Sequence, residues 1–115
     1  MHELSIAMSL LEAAEEQSRS REGARIAAIH LKIGPLSGVV PKALVGAFEL
    51  AREGTEFQNC SLMIQEIPVT IHCPKCRSRQ TVASIQQMAC PLCGTLTSDI
   101  ITGRELEVCA MEIVQ

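Results

Sequence analysis

Two pairs of cysteines carry the clearest chemical signal in the sequence. Each pair encloses two residues, and 13 residues separate the pairs, which consist of Cys73, Cys76, Cys90 and Cys93. This spacing predicts a tetrahedral site of four thiolates, because each pair can close a tight turn around one ion. Zn²⁺ suits such a donor set, since it accepts thiolate ligands and has no redox chemistry of its own. We therefore predict a structural zinc site whose binding contributes on the order of 10 kcal/mol to folding of the surrounding segment.

Other uses of the four cysteines stay open on spacing alone. A dithiol redox pair, an iron–sulfur site or disulfide bonds would use the same residues. Hydrolysis at the metal is not expected, because four sulfur ligands leave no position for an activated water. His72, directly before the first pair, could be a spare ligand, a structural residue or part of a pH-sensitive zinc geometry. We favour the structural role, since four thiolates already satisfy the ion.

The second residue, His2, is the other candidate metal ligand. A polar residue at a chain end is usually solvated. Here the α-amine of Met1, the amide nitrogen of His2 and its imidazole could close adjacent chelate rings around one ion. Deprotonated amide nitrogens select a square-planar ion such as Ni²⁺ or Cu²⁺, and the amide nitrogen of Glu3 or an incoming ligand would complete the set. The pattern therefore fits either a solvated terminus or a small metal site.

Hydrophobic periodicity predicts the elements that must position these groups. Apolar residues recur at three- and four-residue intervals over residues 3–19, and a second helix is expected over residues 41–52, which begin with proline. Strands are expected over residues 25–33, 61–69 and 104–114, and the pattern does not fix the register of the last two. We predict an α+β fold in which two helices pack on a three-stranded sheet.

The segment 71–99 differs from the rest of the chain in composition. It holds four of the six cysteines and many Ser, Thr and Gln residues, so it has too little apolar surface to fold by burial alone. We predict that it forms an inserted zinc-ribbon-like lobe, and that residues 1–70 plus 100–115 form the α+β domain. Cys60 and Cys109 fall at or in predicted strands, where we expect small buried core residues.

Composition argues against several classes of function. The 115 residues include no Trp, no Tyr and two Phe, and the net charge is −3, so neither base stacking nor a broad phosphate-binding field is available. Local basic residues nevertheless keep a nucleic-acid-binding or adaptor zinc ribbon open as an alternative; these are Lys75, Arg77 and Arg79. No nucleophile–base pattern or phosphate-cradling loop is evident, so we expect no catalytic residues.

The apolar runs and the first residues bear on location. The apolar runs are far shorter than the roughly 20 residues that cross a bilayer. The start of the chain also lacks the early cations of a secretory signal. We therefore expect no membrane partner and a cytoplasmic protein, where thiols stay reduced.

Several short motifs occur together and in order along the whole chain. They are Met1-His2-Glu3-Leu4-Ser5, Ile33-Gly34-Pro35-Leu36-Ser37-Gly38-Val39 with Pro41, Gly54-Thr55, the two cysteine pairs, and Gly103-Arg104-Glu105-Leu106. In combination they resemble the HypA/HybF family of hydrogenase nickel-incorporation proteins.

The resemblance implies a metallochaperone rather than an enzyme. By position, His2 would bind Ni(II) with Met1 and Glu3 beside it, and the four cysteines would bind structural Zn(II). It also implies nickel delivery to the large-subunit precursor of a nickel–iron hydrogenase, together with the GTPase HypB, and in some members a link to urease maturation proteins. Arg77 follows the first cysteine pair where many relatives carry glycine, a departure expected to affect that turn but not the ligand set.

Overall fold

The structure is a computed structural model that describes residues 2–114. Met1, one of the predicted nickel ligands, lies outside the described residues. The elements in chain order are α1 (Glu3–Ser20), β1 (Arg25–Ile33), a short 3-10 helix (Pro35–Ser37), α2 (Pro41–Arg52), β2 (Ser61–Glu66), β3 (Thr70–Cys73), β4 (Ser78–Thr81), β5 (Ile100–Thr102) and β6 (Leu106–Val114).

The main sheet has the strand order β2-β1-β6, with β1 in the centre. Strand β1 runs parallel to β2 and antiparallel to β6, which settles the register that the sequence pattern left open. Residues Ile29, Leu31 and Ile33 of β1 are buried in one core with Leu44 and Phe48 of α2 and with the apolar stripe of α1. The predicted α+β fold class, with two helices and a cysteine-containing lobe, is confirmed.

Strand β2 is shorter than the predicted strand over residues 61–69. It ends at Glu66, two residues before Pro68, which has no N–H to donate to a sheet. Val69 then belongs to a second apolar cluster rather than to the main core. Within residues 2–114, no helix is long and apolar enough to cross a membrane.

A second sheet, with the order β4-β3-β5, holds the cysteine segment. Both pairings with β3 are antiparallel, and the sequence pattern did not indicate this sheet. We call residues 70–102, which contain these strands and the four paired cysteines, the cysteine lobe. The buried cluster around which it packs is small, includes Val69 just before the lobe, and has two cysteines among its members: Val69, Ile71, Cys73, Val82 and Cys90. The division of the chain into residues 1–70 plus 100–115 and residues 71–99 stays a prediction.

Two glycines form the junction between the main sheet and the cysteine lobe. The Gly34 N–H donates to the carbonyl of Glu105 at 2.9 Å, and the Leu36 N–H donates to the carbonyl of Gly103 at 2.8 Å. A Cβ atom at Gly34 would lie 2.1 Å from the Gly103 carbonyl oxygen, so only glycine allows this backbone approach. The junction thus explains two of the short motifs, which meet here although they lie about 70 residues apart in sequence.

Candidate metal centre

Two tight turns bring the cysteine pairs together in the cysteine lobe. Cys73 is the last residue of β3, and the backbone N–H of Cys76 donates to its Sγ at 3.4 Å. In the second turn the Gly94 N–H donates to the carbonyl of Cys90 at 2.8 Å. The residue after each pair has left-handed backbone, with φ of 52° at Arg77 and 76° at Gly94. The two pairs are therefore held by similar turns, although only the second has glycine at the left-handed position.

The four sulfur atoms form a compact cluster. All lie within 4.8 Å of one another. The Sγ atoms of Cys73 and Cys93 are 3.5 Å apart, and those of Cys76 and Cys90 are 3.9 Å apart. A tetrahedral zinc ion with Zn–S bonds of about 2.3 Å separates its sulfur ligands by about 3.8 Å. The cluster therefore fits Zn²⁺, and its spacing differs from that of disulfide sulfurs, which are about 2.05 Å apart.

Two of the thiols have pKa values shifted in opposite directions. The hydrogen bond with Cys93, together with desolvation and the other two thiols, raises the pKa of Cys76 to about 12. The side-chain hydrogen bond with Thr95 (Sγ to Oγ1, 3.1 Å) and a backbone hydrogen bond lower the pKa of Cys93 to about 6. A divalent cation between the sulfurs would relieve this sharing of protons, because thiolates rather than thiols are the metal ligands. The donor set thus suits a cation.

The cluster lies at the surface of the lobe. Cys73 and Cys90 are buried, Cys93 is half-buried and Cys76 is exposed. With four sulfur ligands, an ion here would have no free position for a substrate or water. The arrangement can cross-link two loops and a strand, and it offers no catalytic geometry.

His72 lies outside the sulfur cluster. It is exposed between the buried residues Ile71 and Cys73 of β3, and the group of possible ligands contains the four cysteines without it. Its backbone N–H donates to the carbonyl of Asp99 at 2.9 Å. His72 is therefore not among the clustered ligands, and its structural role stays a prediction.

His2 lies immediately before the first residue of α1. It is exposed, its backbone is extended (φ −89°, ψ 97°), and its side chain makes no capping hydrogen bond. Its carbonyl accepts a hydrogen bond from the N–H of Ile6 at 3.3 Å. Glu3 opens the helix and is half-buried. In the described part of the chain, the cysteine cluster is the one group of three or more possible metal ligands, so His2 and Glu3 stand apart from it.

The two remaining cysteines differ in burial. Cys60 is buried as predicted, and burial raises the pKa of its thiol despite the opposing charge of Arg52. The expectation for Cys109 is wrong, because this residue is exposed. The register between β1 and β6 shifts at this point and leaves Cys109 without a partner residue. An irregularity of this kind depends on strand pairing, which the sequence pattern did not reveal.

A polar pair on the open face of the main sheet was also missed. His30 Nε2 lies 2.6 Å from Glu112 Oε2, and the two residues are 82 positions apart in sequence. Only the pairing of β1 with β6 brings them together, so no local signal could have indicated it.

Comparison with known proteins identifies the family. A family model described as "Hydrogenase/urease nickel incorporation, metallochaperone, hypA" matches residues 1–113. The chain belongs to the HypA family. Members of this family are metallochaperones for nickel incorporation and not enzymes, as the motifs implied.

Relatives and solved structures agree with this assignment. The chain is 41% identical over 112 residues to hydrogenase maturation factor HypA of Roseiflexus sp. (strain RS-1), covering 97% of this chain and 91% of the relative. It is 43% identical to the factor of the same name from Chloroflexus aggregans, covering 97% and 98%. The solution structure of the Ni metallochaperone HypA from Helicobacter pylori superposes with a TM-score of 0.65 at 25% identity, covering 99% of this chain and 98% of that one.

Proposed function

We propose that this chain binds Ni(II) through His2 and delivers it to the large-subunit precursor of a nickel–iron hydrogenase. One observation carries the proposal. In a chain that matches a nickel-incorporation family over residues 1–113, the imidazole of His2 is exposed at the start of α1 and caps nothing. An uncommitted imidazole at an open helix start is accessible both to the metal and to a protein that receives it.

The donor set proposed for nickel is small. The imidazole of His2 acts with the α-amine of Met1 and with the amide nitrogens of His2 and Glu3. Deprotonated amide nitrogens favour a square-planar ion, which suits Ni(II). We expect affinity in the micromolar range, equivalent to roughly 8 kcal/mol, which is specific yet weak enough for release. Nickel is thus cargo and not a resident cofactor.

The second metal is structural in this proposal. Cys73, Cys76, Cys90 and Cys93 hold Zn(II), and the sulfur spacing described above supports the assignment. When bound, zinc supplies a cross-link that the few apolar residues of the cysteine lobe cannot replace.

The proposed partners follow from the family and from the chemistry of delivery. We expect the GTPase HypB to act with this protein, and the urease maturation proteins to be further partners. The family description names both hydrogenase and urease, which supports the hydrogenase and urease partners. The site of action is the cytoplasm, where cysteines that form no disulfide bond stay reduced and able to bind zinc.

A nickel titration of the zinc-loaded protein tests the proposal. We would compare the chain that starts at Met1 with His2→Ala, and use His30→Ala as the matched control, since it removes a histidine from the main sheet instead. Calorimetry is the suitable readout, because the chain has no Trp or Tyr to report binding by fluorescence. We expect one nickel for the wild type and for His30→Ala, and none of comparable affinity for His2→Ala. Equal binding by all three proteins would contradict the proposal.

A second function has its own supporting observation. Leu92 and Leu96 of the cysteine lobe are 73% and 77% exposed, and Lys75 is exposed in the first cysteine turn. An adaptor or nucleic-acid-binding zinc ribbon would use such a surface. It would bind its partner independently of His2, and a nucleic acid would bind with a steep dependence on salt.

A further inference from the structure

The outer edge of β6 is open. This nine-residue strand is the last of the main sheet and pairs only with β1. Among residues 2–114, no other backbone hydrogen bond involves residues 106–114. An edge strand with unpaired N–H and C=O groups is a template for another strand. Strand β6 contains no Pro or Lys to block such pairing. Its protective features are the irregularity at Cys109 and the exposed charges of Glu107 and Glu112.

An apolar groove runs beside this edge. Helix α1 lies over β1, so the helix-side residues Leu106 and Val108 of β6 remain 37% and 40% exposed. The groove, which we call the β6 groove, has a volume of about 400 Å³. Its apolar lining comes from α1, β1 and β6: Ile6, Leu10, Ala13, Leu31, Leu106 and Val108. A sheet edge beside a helix-walled apolar groove can receive both the backbone and the side chains of an extended segment.

The charge of the edge indicates the chemistry of its occupant. Three glutamates occur over residues 105–114, and no Lys or Arg does. Glu112 pairs with His30, and Glu105 accepts a hydrogen bond from the Gly103 N–H. Glu107 is exposed and lies opposite Lys32 of β1 in the strand register. Within residues 2–114 Glu107 makes no ion pair, so its carboxylate is available to a partner on the outer side of the edge. Like charges on neighbouring strands repel, and opposite charges attract. Pairing of β6 with a second copy of itself would bring two acidic rows together, so a basic partner is favoured.

We propose that the β6 edge and the β6 groove bind an extended protein segment in which apolar residues alternate with Lys or Arg. Successive side chains of a strand point to opposite faces. A segment paired with β6 therefore places its apolar side chains in the groove and its basic side chains beside Glu107. This binding site goes beyond the proposed nickel function and does not require it.

The test uses the zinc-loaded full chain and a fluorescent synthetic peptide of about eight residues, a common strand length. Valine alternates with lysine in the probe and with glutamate in the first control peptide. A second control keeps the valine–lysine sequence but carries N-methyl groups on the backbone. Of the three peptides, we expect only the valine–lysine probe to show a rise in anisotropy when the protein is added. The same probe should protect the amides of residues 106–114 from hydrogen exchange.

Variants locate the site. Glu107→Lys should weaken probe binding about fivefold, because an attractive cross-strand pair becomes repulsive. The control Glu16→Lys, on an exposed part of α1, should change binding less than twofold. Val108→Asp should abolish binding, whereas Leu50→Asp, also at an exposed apolar residue, should not. His2→Ala should bind the probe like the wild type, so failure of the nickel proposal would not affect this result.

Three results would overturn the proposal. Equal binding of the N-methylated peptide would exclude strand addition. Equal effects of Glu107→Lys and Glu16→Lys would indicate diffuse charge attraction. A dimer in sedimentation that involves β6 would show that a second copy occupies the edge.

Discussion

Substitution of the left-handed residue after each cysteine pair tests whether the backbone conformation of the two turns affects zinc affinity. Arg77 has φ of 52° and Gly94 has φ of 76°. A residue with a side chain costs roughly 1–2 kcal/mol in this region. Glycine avoids that cost, but it loses about 0.5–1 kcal/mol through its greater freedom in the unfolded chain. Arg77→Gly should therefore stabilise the cysteine lobe by about 0.5–1 kcal/mol.

The reverse change at the equivalent position should have the opposite sign. A Cβ atom at Gly94 would meet nothing within 4 Å, so Gly94→Ala introduces backbone strain without a clash. The same balance predicts destabilisation by about 0.5–1 kcal/mol. Because the proposed zinc site links zinc binding to folding of the lobe, each change should alter the zinc dissociation constant by about two- to fivefold.

Competition with a chromophoric chelator at constant pH measures these constants. The ligand set is the same in every variant, so differences in the zinc dissociation constant reflect the conformational cost of the turns. Arg77→Ala is the control for the charge, since it removes the guanidinium and keeps a Cβ atom at the strained position. Tighter zinc binding by Arg77→Gly but not by Arg77→Ala is expected. Equal tightening by both variants, or no loss in Gly94→Ala, would refute the argument from backbone strain.

Three other predictions concern the junction and the cysteine cluster. Gly34→Ala should destabilise the fold by about 3 kcal/mol or more, because its methyl group would overlap the Gly103 carbonyl. Urea unfolding measures the free energy of unfolding. Gly38→Ala is the milder control, because a Cβ atom there meets nothing within 4 Å. Zinc affinity should fall at least tenfold for each unit by which the pH is lowered from about 8 to about 6, because the raised pKa of Cys76 keeps that thiol protonated until zinc displaces the proton. Chelator competition, corrected for the chelator's own protonation, measures the zinc dissociation constant at each pH. A constant that did not change with pH would contradict this prediction. Removal of zinc should cause the amide signals of β3, β4 and β5 to lose their chemical-shift dispersion in NMR spectra, while those of β1 persist. Unchanged spectra would show that the small apolar cluster is enough to keep the cysteine lobe folded without zinc.

Local patterns predicted the elements that depend on local geometry. Three observed elements closely match the expected ranges: the helices Glu3–Ser20 and Pro41–Arg52 and the strand Arg25–Ile33. They could be predicted because the hydrophobic periodicity of a helix or strand is visible in neighbouring residues. The cysteine cluster was equally accessible to prediction. A tight turn fixes each pair, so the spacing alone indicated that four sulfurs could share one ion.

The features that the sequence did not predict depend on pairing between strands that lie far apart in the sequence. The direction of β2 relative to β1 depends on contacts such as Ala28 with Ser61, and the second sheet depends on Ile71 facing both Gln80 and Ile100. These pairings have no local signal. The exposure of Cys109 had the same origin. Predicting that Cys109 is exposed required knowledge of an irregularity between two strands about 80 residues apart in sequence.

Transfer of nickel tests the central claim most directly. Nickel-loaded protein would be mixed with a nickel-free hydrogenase large-subunit precursor in the presence of a competing chelator, and the nickel retained by the separated precursor would be measured. Nickel supplied with His2→Ala, or as free ion at the same total concentration, provides the comparison. The account predicts that the wild-type chain loads the precursor and that His2→Ala loads no more than the free ion does. Equal loading by the wild type and His2→Ala would contradict a delivery role for the His2 site.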